Sequence, residues 1–352
     1  MRIAITADVH LGIKNEHPER YSALENILAQ VKAEKMENLL IAGDLFDKGF
    51  NNYSEFETLC RKHLSVQLHI IPGNHDPSIS EKSIVGDNIQ IYTEPTMVEF
   101  DSTAFFFVPY KEKANIGDTI AEIDQDIGGK QWILVAHGDY YSGVKELNPL
   151  EPGTYMPLSK KTIERFSPSA VFLGHIHKPI AWGNVYYAGS PCGLDISETG
   201  KRRFLVYDTS EVSVISMAVA TDVLYFDESF VIVPLGTEAP LLKQEIEKRI
   251  KSWDIASSDY SRVCVRVEAR GYATDRSAIL RVLREGFDGF RYYKDEGPRI
   301  DELLISTDRQ LNAVAERAIK LISEFEWSFG SDEPTKEQVT NAALNVIYGD
   351  SG

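Results

Sequence analysis

The chain has 352 residues, which at about 100–200 residues per domain predicts two domains. Hydrophobic residues make up 43% and charged residues 26%, an ordinary globular balance, and 24 glycines with 15 prolines exclude a collagen-like or low-complexity chain. With 37 Lys+Arg against 53 Asp+Glu, the formal charge of −16 excludes a generally basic nucleic-acid coat, though bound metal ions and a local basic face can still serve a nuclease.

In chain order, residues 2–7 predict a buried strand. Leu24, Ile27, Leu28 and Val31 then fall at i, i+3, i+4 and i+7, the apolar face of a helix over 18–35. Residues 38–42 predict a strand, and 54–64 a helix with Ser54 as N-cap. Residues 66–71 predict a third strand. Further strands are expected at 89–92, 104–108, 132–136, 170–173, 185–188 and 203–207, with a helix over 159–166. Strands mixed with helices over this length predict an α/β layered core rather than an all-β barrel. The pattern changes near residues 217–233. A helix at 241–253, a strand at 262–269, a helix at 275–285 and strands at 289–293 and 303–306 make a small α+β unit. Two helices, 308–324 and 335–347, close the chain around the turn-rich SFGSDEP.

Cys60, Cys192 and Cys264 are odd in number and form no CxxC, so neither a disulfide framework nor a thiolate zinc site is expected. The apolar stretch of MRIAITADVH is too short for a signal peptide, and no run approaches the about 20 apolar residues of a membrane span. The expectation is a soluble, cytoplasmic protein with no membrane partner. Residues 251–300 carry ten Lys/Arg against eight Asp/Glu. Arg262, Arg266 and Arg270 alternate with Val263, Val265 and Val267, so strand periodicity puts the three guanidinium groups on one sheet face. That face is either a solvated exterior or a surface for phosphates.

The informative feature is where apolar runs end. IAITADVH, LHIIPGNHD, WILVAHGD and VFLGHIH lead into His10, His75, His137, His175 and His177, and LLIAGD leads into Asp44. Ligand sites of open α/β sheets gather beyond the carboxyl ends of strands, so these runs are expected to aim Asp, Asn and His into one crevice. Oxygen and imidazole donors without thiolates suit Mn²⁺, Fe²⁺ or Zn²⁺, and Mg²⁺ less well. Asp8 and His10, two apart, face one side in extended backbone and can grip one ion; His175 and His177 can serve two adjacent ions. Asp44 is the candidate bridge. Gly43, Gly73, Gly138 and Gly174 stand beside these residues, where a missing Cβ permits close approach. A lone histidine or DxH is more often structural, but five such motifs in order are not explained by chance. His17, His63 and His69 belong to no motif.

DVH, GDLFD, GNHD, HGD and GHIH, in this order, resemble the signature of the calcineurin-like metallophosphoesterase superfamily over about residues 2–207. With DVHLG and YYAGSPCGLDISETGKRRFLVYD, the chain looks most like the SbcD-type nucleases of DNA double-strand break repair. The resemblance implies a layered β-sandwich core flanked by helices (1–220), a small cap domain (221–306) and a helical segment (307–352). It implies that Asp8, His10 and His177 hold one Mn²⁺, that Asn74, His137 and His175 hold the other, and that Asp44 bridges. His75 would act near the scissile phosphate, with Asp76 orienting its imidazole, and a hydroxide between the ions would attack phosphorus.

The cap would present Arg262, Arg266 and Arg270 to DNA, and the last helices would dock an SbcC-type coiled-coil ATPase. The acidic end, with Glu324, Glu326, Asp332, Glu333 and Glu337, would not touch DNA. Residues 21–31 and 56–64 are candidate faces for a homodimer. Three functions follow: a two-metal exonuclease and endonuclease of DNA repair in the cytoplasm, associated with the nucleoid; a phosphatase or phosphodiesterase for a small-molecule or protein ester; and a DNA-end-binding scaffold subunit.

Overall fold

A computed structural model describes residues 1–122, 131–141, 153–326 and 334–349. The chain divides into two compact units, one of residues 1–194 and 201–223, the other of residues 195–200 and 224–352.

The first unit is a four-layer α/β sandwich. In one sheet β1 (Arg2–Thr6), β2 (Asn38–Ala42), β3 (Gln67–Ile71) and β4 (Ile89–Ile91) run parallel, and β13 (Arg202–Asp208) and β14 (Ser213–Val219) continue it antiparallel beyond β1. In the other, β6 (Thr103–Val108), β7 (Trp132–His137), β10 (Ala170–Gly174) and β12 (Val185–Tyr187) run parallel between antiparallel edges β5 (Thr96–Phe100) and β11 (Ile180–Trp182). A separate short pair joins β8 (Tyr140–Tyr141) to β9 (Leu158–Ser159).

Side-chain alternation explains why the central strands read as unbroken apolar runs. In β2, Leu39 and Ile41 pack toward helices, while Leu40 and Ala42 pack toward the other sheet. A strand covered on both faces has no polar side. Helices α1 (Pro18–Ala33) and α2 (Ser54–Lys62) cover the first sheet through Leu24, Ile27, Leu28 and Phe56. Helices α3 (Ile116–Glu122) and α4 (Lys160–Phe166) cover the second through Ile116, Ile120 and Ile163. Ser54 proves to be the first helical residue of α2 rather than its cap: Tyr53 holds the cap position, and Asn52 Oδ1 accepts from the Ser54 N–H. The unpredicted β5, β11 and β14 are edge or near-edge strands with half-exposed patterns, where the apolar signal is weak.

In the second unit β15 (Leu224–Ile232), α5 (Glu238–Ser252), β16 (Val263–Ala273), α6 (Arg276–Gly286) and β17 (Arg291–Tyr292) alternate, and β18 (Leu303–Ile305) pairs the far end of β16. All these pairings are parallel, so the part expected as α+β is a β-α-β-α-β arrangement. Element types are local, but strand direction belongs to pairing between distant segments. Val263, Val265, Val267 and Ala269 bury against Leu242, Ile246, Trp253 and Leu283. On the opposite face Tyr272 stacks on Tyr348 at 4.0 Å and packs with α7 (Arg309–Glu324) and α8 (Lys336–Tyr348). Asp275, Asp308 and Thr335 cap α6, α7 and α8. The turn read over residues 328–334, with Asp332 and Glu333, lies outside the described residues except for Pro334. The three cysteines are free and buried. No helix among the described residues is long and apolar enough to cross a membrane.

Candidate metal centre

The predicted site residues of the first unit sit past the carboxyl ends of β1, β2 and β3 in one sheet and, in the other, at the last residue of β7 and past the end of β10. The turns leaving β1 and β2 stay joined: Asp8 N–H donates to Gly43 O at 3.1 Å, His10 N–H to Asp44 O at 3.0 Å and Leu11 N–H to Leu45 O at 2.8 Å. These turns adopt left-handed backbone at Asp8 (φ 54°), His10 (φ 51°) and Asp44 (φ 50°), and so does the turn after β10 at His175 (φ 100°). Non-glycine residues hold that conformation where surroundings over-determine it, and such strain gathers at functional sites. Asp8 and His10 therefore converge through a tight left-handed turn, not through the extended alternation expected of them.

Close approach of the strand ends needs two glycines in particular. A Cβ on Gly73 would lie 2.1 Å from Asp44 Oδ1, and one on Gly174 would lie 2.0 Å from the Ala42 carbonyl oxygen.

Each central carboxylate divides its oxygens between scaffold and centre. Asp44 Oδ1 accepts from His75 N–H at 2.8 Å, while Oδ2 lies 3.7 Å from His10 Nε2 and 3.4 Å from His137 Nε2. Asp8 Oδ1 accepts from His175 N–H at 2.8 Å, and its buried Oδ2 has no hydrogen-bond partner among the described residues. His10 Nε2 is 3.2 Å from His177 Nε2. Asn74 Oδ1 is 2.8 Å from His137 Nε2 and 3.1 Å from His175 Nδ1. Donor atoms of Asp8, His10 and His177, of His10, Asp44 and His75, and of Asp8, Asp44 and His137 lie within 4.8 Å of one another in each group. Asp44 belongs to two of these three groups, one with His10 and one with His137. A buried carboxylate oxygen without a donor, among converging imidazoles, is a fit for divalent cations.

Charge in the centre is shared rather than local. Burial pushes the Asp44 carboxyl up, but His137, His10 and His75 more than offset it and hold it well below the usual range. Burial raises Asp8 against the pull of His177 and His137. Burial depresses His137, yet Asp44 and Asp8 lift it to about 9.

Supporting residues orient the ring nitrogens. His137 Nδ1 donates to Ala42 O at 3.0 Å, which leaves Nε2 to face Asn74 and Asp44. Asp139 Oδ1 lies 3.6 Å from His175 Nε2, and its Oδ2 accepts from Tyr155 N–H at 2.7 Å. The Tyr155 ring packs 4.6 Å from that of His175. Asp47 Oδ1 lies 3.6 Å from His75 Nδ1 and 3.7 Å from His10 Nδ1. Such outer carboxylates set imidazole tautomers in metal sites. Asp47 and Asp139 stand in GDLFD and HGD, but their spacing in the sequence gives no sign of their direction.

Asp76 was expected to orient His75. Both its oxygens are instead engaged by backbone, accepting from Gly73 N–H at 2.7 Å and Phe46 N–H at 3.0 Å. Burial and the neighbouring Asp44 push its carboxyl up to about 6. It ties the loop after β3 to the loop after β2, while Asp47 faces the His75 ring.

The three arginines belong to the second unit. Arg266 and Arg270 do share a face of β16, but Glu268 lies between them on it. Arg266 forms a two-point ion pair with Asp227, directly opposite in the register. Arg262, expected on the same strand face, lies instead in the 3-10 turn that precedes β16, where it pairs with Asp259 at 2.7 Å. Arg270 rests on Ser229 Oγ and has no acidic partner among the described residues. Carboxylates from β15 and the preceding turn neutralise most of the face, which strand periodicity alone does not disclose.

A profile of calcineurin-like phosphoesterases matches residues 1–179. Exonuclease subunit 1 of Enterobacteria phage T4 is 27% identical over 234 residues, 59% of this chain and 65% of that protein. The SbcD component of nuclease SbcCD from Staphylococcus saprophyticus is 25% identical over 240 residues, 56% of this chain and 63% of that protein. The match thus spans less than two thirds of the length of either nuclease relative. A probable cyclic nucleotide phosphodiesterase of Coxiella burnetii is 22% identical over 210 residues, 54% of this chain and 82% of that protein. The profile covers half of the chain and ends just past His177, so every strand end that feeds the centre lies within it: the chain belongs to the calcineurin-like phosphoesterase family.

Proposed function

We propose that this chain is a DNA phosphodiesterase that works with two divalent ions, most suitably Mn²⁺, with Mg²⁺, Fe²⁺ or Zn²⁺ as alternatives. Asp8, His10 and His177 would hold one ion, Asn74, His137 and His175 the other, and Asp44 both. The observation that carries the proposal is Asp44 Oδ2, which lies 3.7 Å from His10 Nε2 and 3.4 Å from His137 Nε2, so that Asp44 is shared by a donor group containing each ring. When bound, the ions supply positive charge to phosphate oxygens and acidify water. The protein's own part is orientation and proton handling. His75, with Nδ1 facing Asp47, presents its ring beside His10 (centroids 4.7 Å apart), where it stabilises phosphate charge or protonates the leaving oxygen.

The nuclease assignment draws on the two relatives named as nucleases, and partnership with an SbcC-type ATPase on one of them being a named component of nuclease SbcCD. In this proposal the chain processes DNA ends as double-strand exonuclease and single-strand or hairpin endonuclease during break repair at the nucleoid. The second unit serves as accessory domain, α7 and α8 dock the ATPase, and α1 and α2 supply the homodimer face. Arg270 is the best placed of the three arginines for phosphate, because engaging it breaks no ion pair.

The Coxiella relative favours one other reading, a phosphodiesterase for small cyclic nucleotides. Incubation of linear duplex, single-stranded and hairpin DNA, and separately of bis-p-nitrophenyl phosphate, with Mn²⁺ or Mg²⁺ decides between them. DNA cleavage is expected. Turnover of the small ester alone would favour the second reading, and DNA binding without turnover a scaffold. His75→Leu should keep bound Mn²⁺ and lose about 10²–10⁴-fold in rate; a fully active, metal-loaded variant would remove His75 from the chemistry.

A further inference from the structure

Arg20 lies in the first turn of α1, outside every strand-end motif, with a side chain only 8% exposed. Its Nη1 donates to the His10 carbonyl oxygen at 2.5 Å and to Asp47 Oδ2 at 3.2 Å. The other oxygen of that carboxylate, Oδ1, is the one that faces His10 Nδ1 at 3.7 Å and His75 Nδ1 at 3.6 Å. One guanidinium nitrogen therefore holds both the left-handed backbone of His10 and the carboxylate that addresses two imidazoles. The next residue strengthens the grip, since Tyr21 OH donates to Gly12 O at 2.9 Å in the same loop.

We propose that Arg20 is a positioning residue of the metal centre. Through the His10 carbonyl and Asp47 it aims the His10 and His75 rings, and so governs metal affinity and turnover without touching ion or substrate. The inference rests on the two-ion function proposed above. Asp47 is 43% exposed at its side chain, so without Arg20 it would be free to exchange rotamers. His10 would lose the donor that secures its positive-φ carbonyl. A lysine in place of Arg20 keeps the charge and offers one nitrogen, but on a shorter and more flexible stem, so it reproduces the double contact only in part.

The test uses the full chain with Arg20→Met and Arg20→Lys. Mn²⁺ affinity is measured by isothermal titration calorimetry, thermal stability by calorimetry, and kcat and KM with bis-p-nitrophenyl phosphate at saturating Mn²⁺. Arg20→Met should bind Mn²⁺ about 10–100-fold more weakly and lose about tenfold or more in kcat, with KM nearly unchanged. Arg20→Lys should recover part of both losses. A variant with wild-type Mn²⁺ affinity and kcat overturns the proposal, whether or not its melting temperature falls, because that pattern is plain helix support. If Arg20→Met does not fold, Asp47→Asn stands in. It should show the same Mn²⁺ and kcat losses, and adding Arg20→Lys should add little, whereas fully additive losses overturn the relay. A wild-type chain that neither binds Mn²⁺ nor hydrolyses the ester refutes the two-ion function itself, and that result is read before any variant.

Discussion

The close approach of β10 to β2 makes Gly174→Ala a sharp probe of how the centre is held. The φ of Gly174 is outside the left-handed region, so an added methyl group meets a problem of space and not of backbone conformation. That Cβ would sit 2.0 Å from Ala42 O and 2.7 Å from His137 Nδ1, against 3.4 Å or more for ordinary contact. The neighbour on one side is backbone in a central strand, so the strand ends must separate by more than about 1 Å in a close-packed interior. Overpacking of this kind costs about 1–3 kcal/mol. The movement also parts His137 Nδ1 from Ala42 O, now 3.0 Å apart, and a buried donor left unpaired costs about 1–3 kcal/mol more. The total of about 2–6 kcal/mol should lower the melting temperature of a unit this size by roughly 5–20 °C. His137 would also lose its fixed orientation, so Mn²⁺ affinity should fall about 10–100-fold. Scanning calorimetry and Mn²⁺ titration measure both, with Gly12→Ala as control, since its Cβ meets nothing nearer than His17 Cδ2 at 3.8 Å. A Gly174→Ala protein melting within about 2 °C of wild type, a shift typical of neutral surface changes, would show that this contact does not constrain the site.

Saturation with Mn²⁺ at about 100 times its dissociation constant should stabilise the chain by about 2.7 kcal/mol, and chelation should reverse the gain; an unchanged melting temperature would remove the metal centre. His69 is buried with Nδ1 at 2.8 Å from Tyr92 OH and Nε2 at 3.0 Å from Asn38 Oδ1, and burial pushes its pKa down to about 4 from 6.5. Between those values the unfolded chain binds a proton that the folded chain refuses, so stability is lost as pH falls from about 6.5 to 4, by about 3 kcal/mol in all. Urea midpoints of wild type and His69→Gln across that window should diverge from parallel, and parallel curves would reject the linkage. In the second unit Glu228 accepts from Trp253 Nε1 at 2.6 Å and Arg249 Nη1 at 3.2 Å. Glu228→Ala should cost about 1–3 kcal/mol by stranding the indole donor, and Glu228→Gln less; equal melting temperatures for the two would count against that hydrogen bond.

Much of the first unit was readable because its signals are local. Two-sided burial made β1, β2, β3, β7 and β10 into apolar runs, and each run delivered its Asp, Asn or His at a strand end. The edge strand β5 was missed because Met97 and Glu99 face outward and leave a weak pattern. The second unit shows the same boundary. The helices read from Asp275, Asp308 and Thr335 onward follow from local pattern, whereas the parallel pairing of β15 with β16 brings Asp227 opposite Arg266 from 39 residues away.

By itself, the amino-acid order determined the donor inventory, the strand-end placement of those donors and the family they resemble. Tertiary structure alone decided which nitrogen of each ring looks inward, that Asp47 rather than Asp76 addresses His75, and that Arg20 on α1 grips the loop after β1. The reason is range: burial and chain direction act over a few residues, while ring orientation, left-handed turns and ion pairs are set by groups that meet only after both sheets have packed.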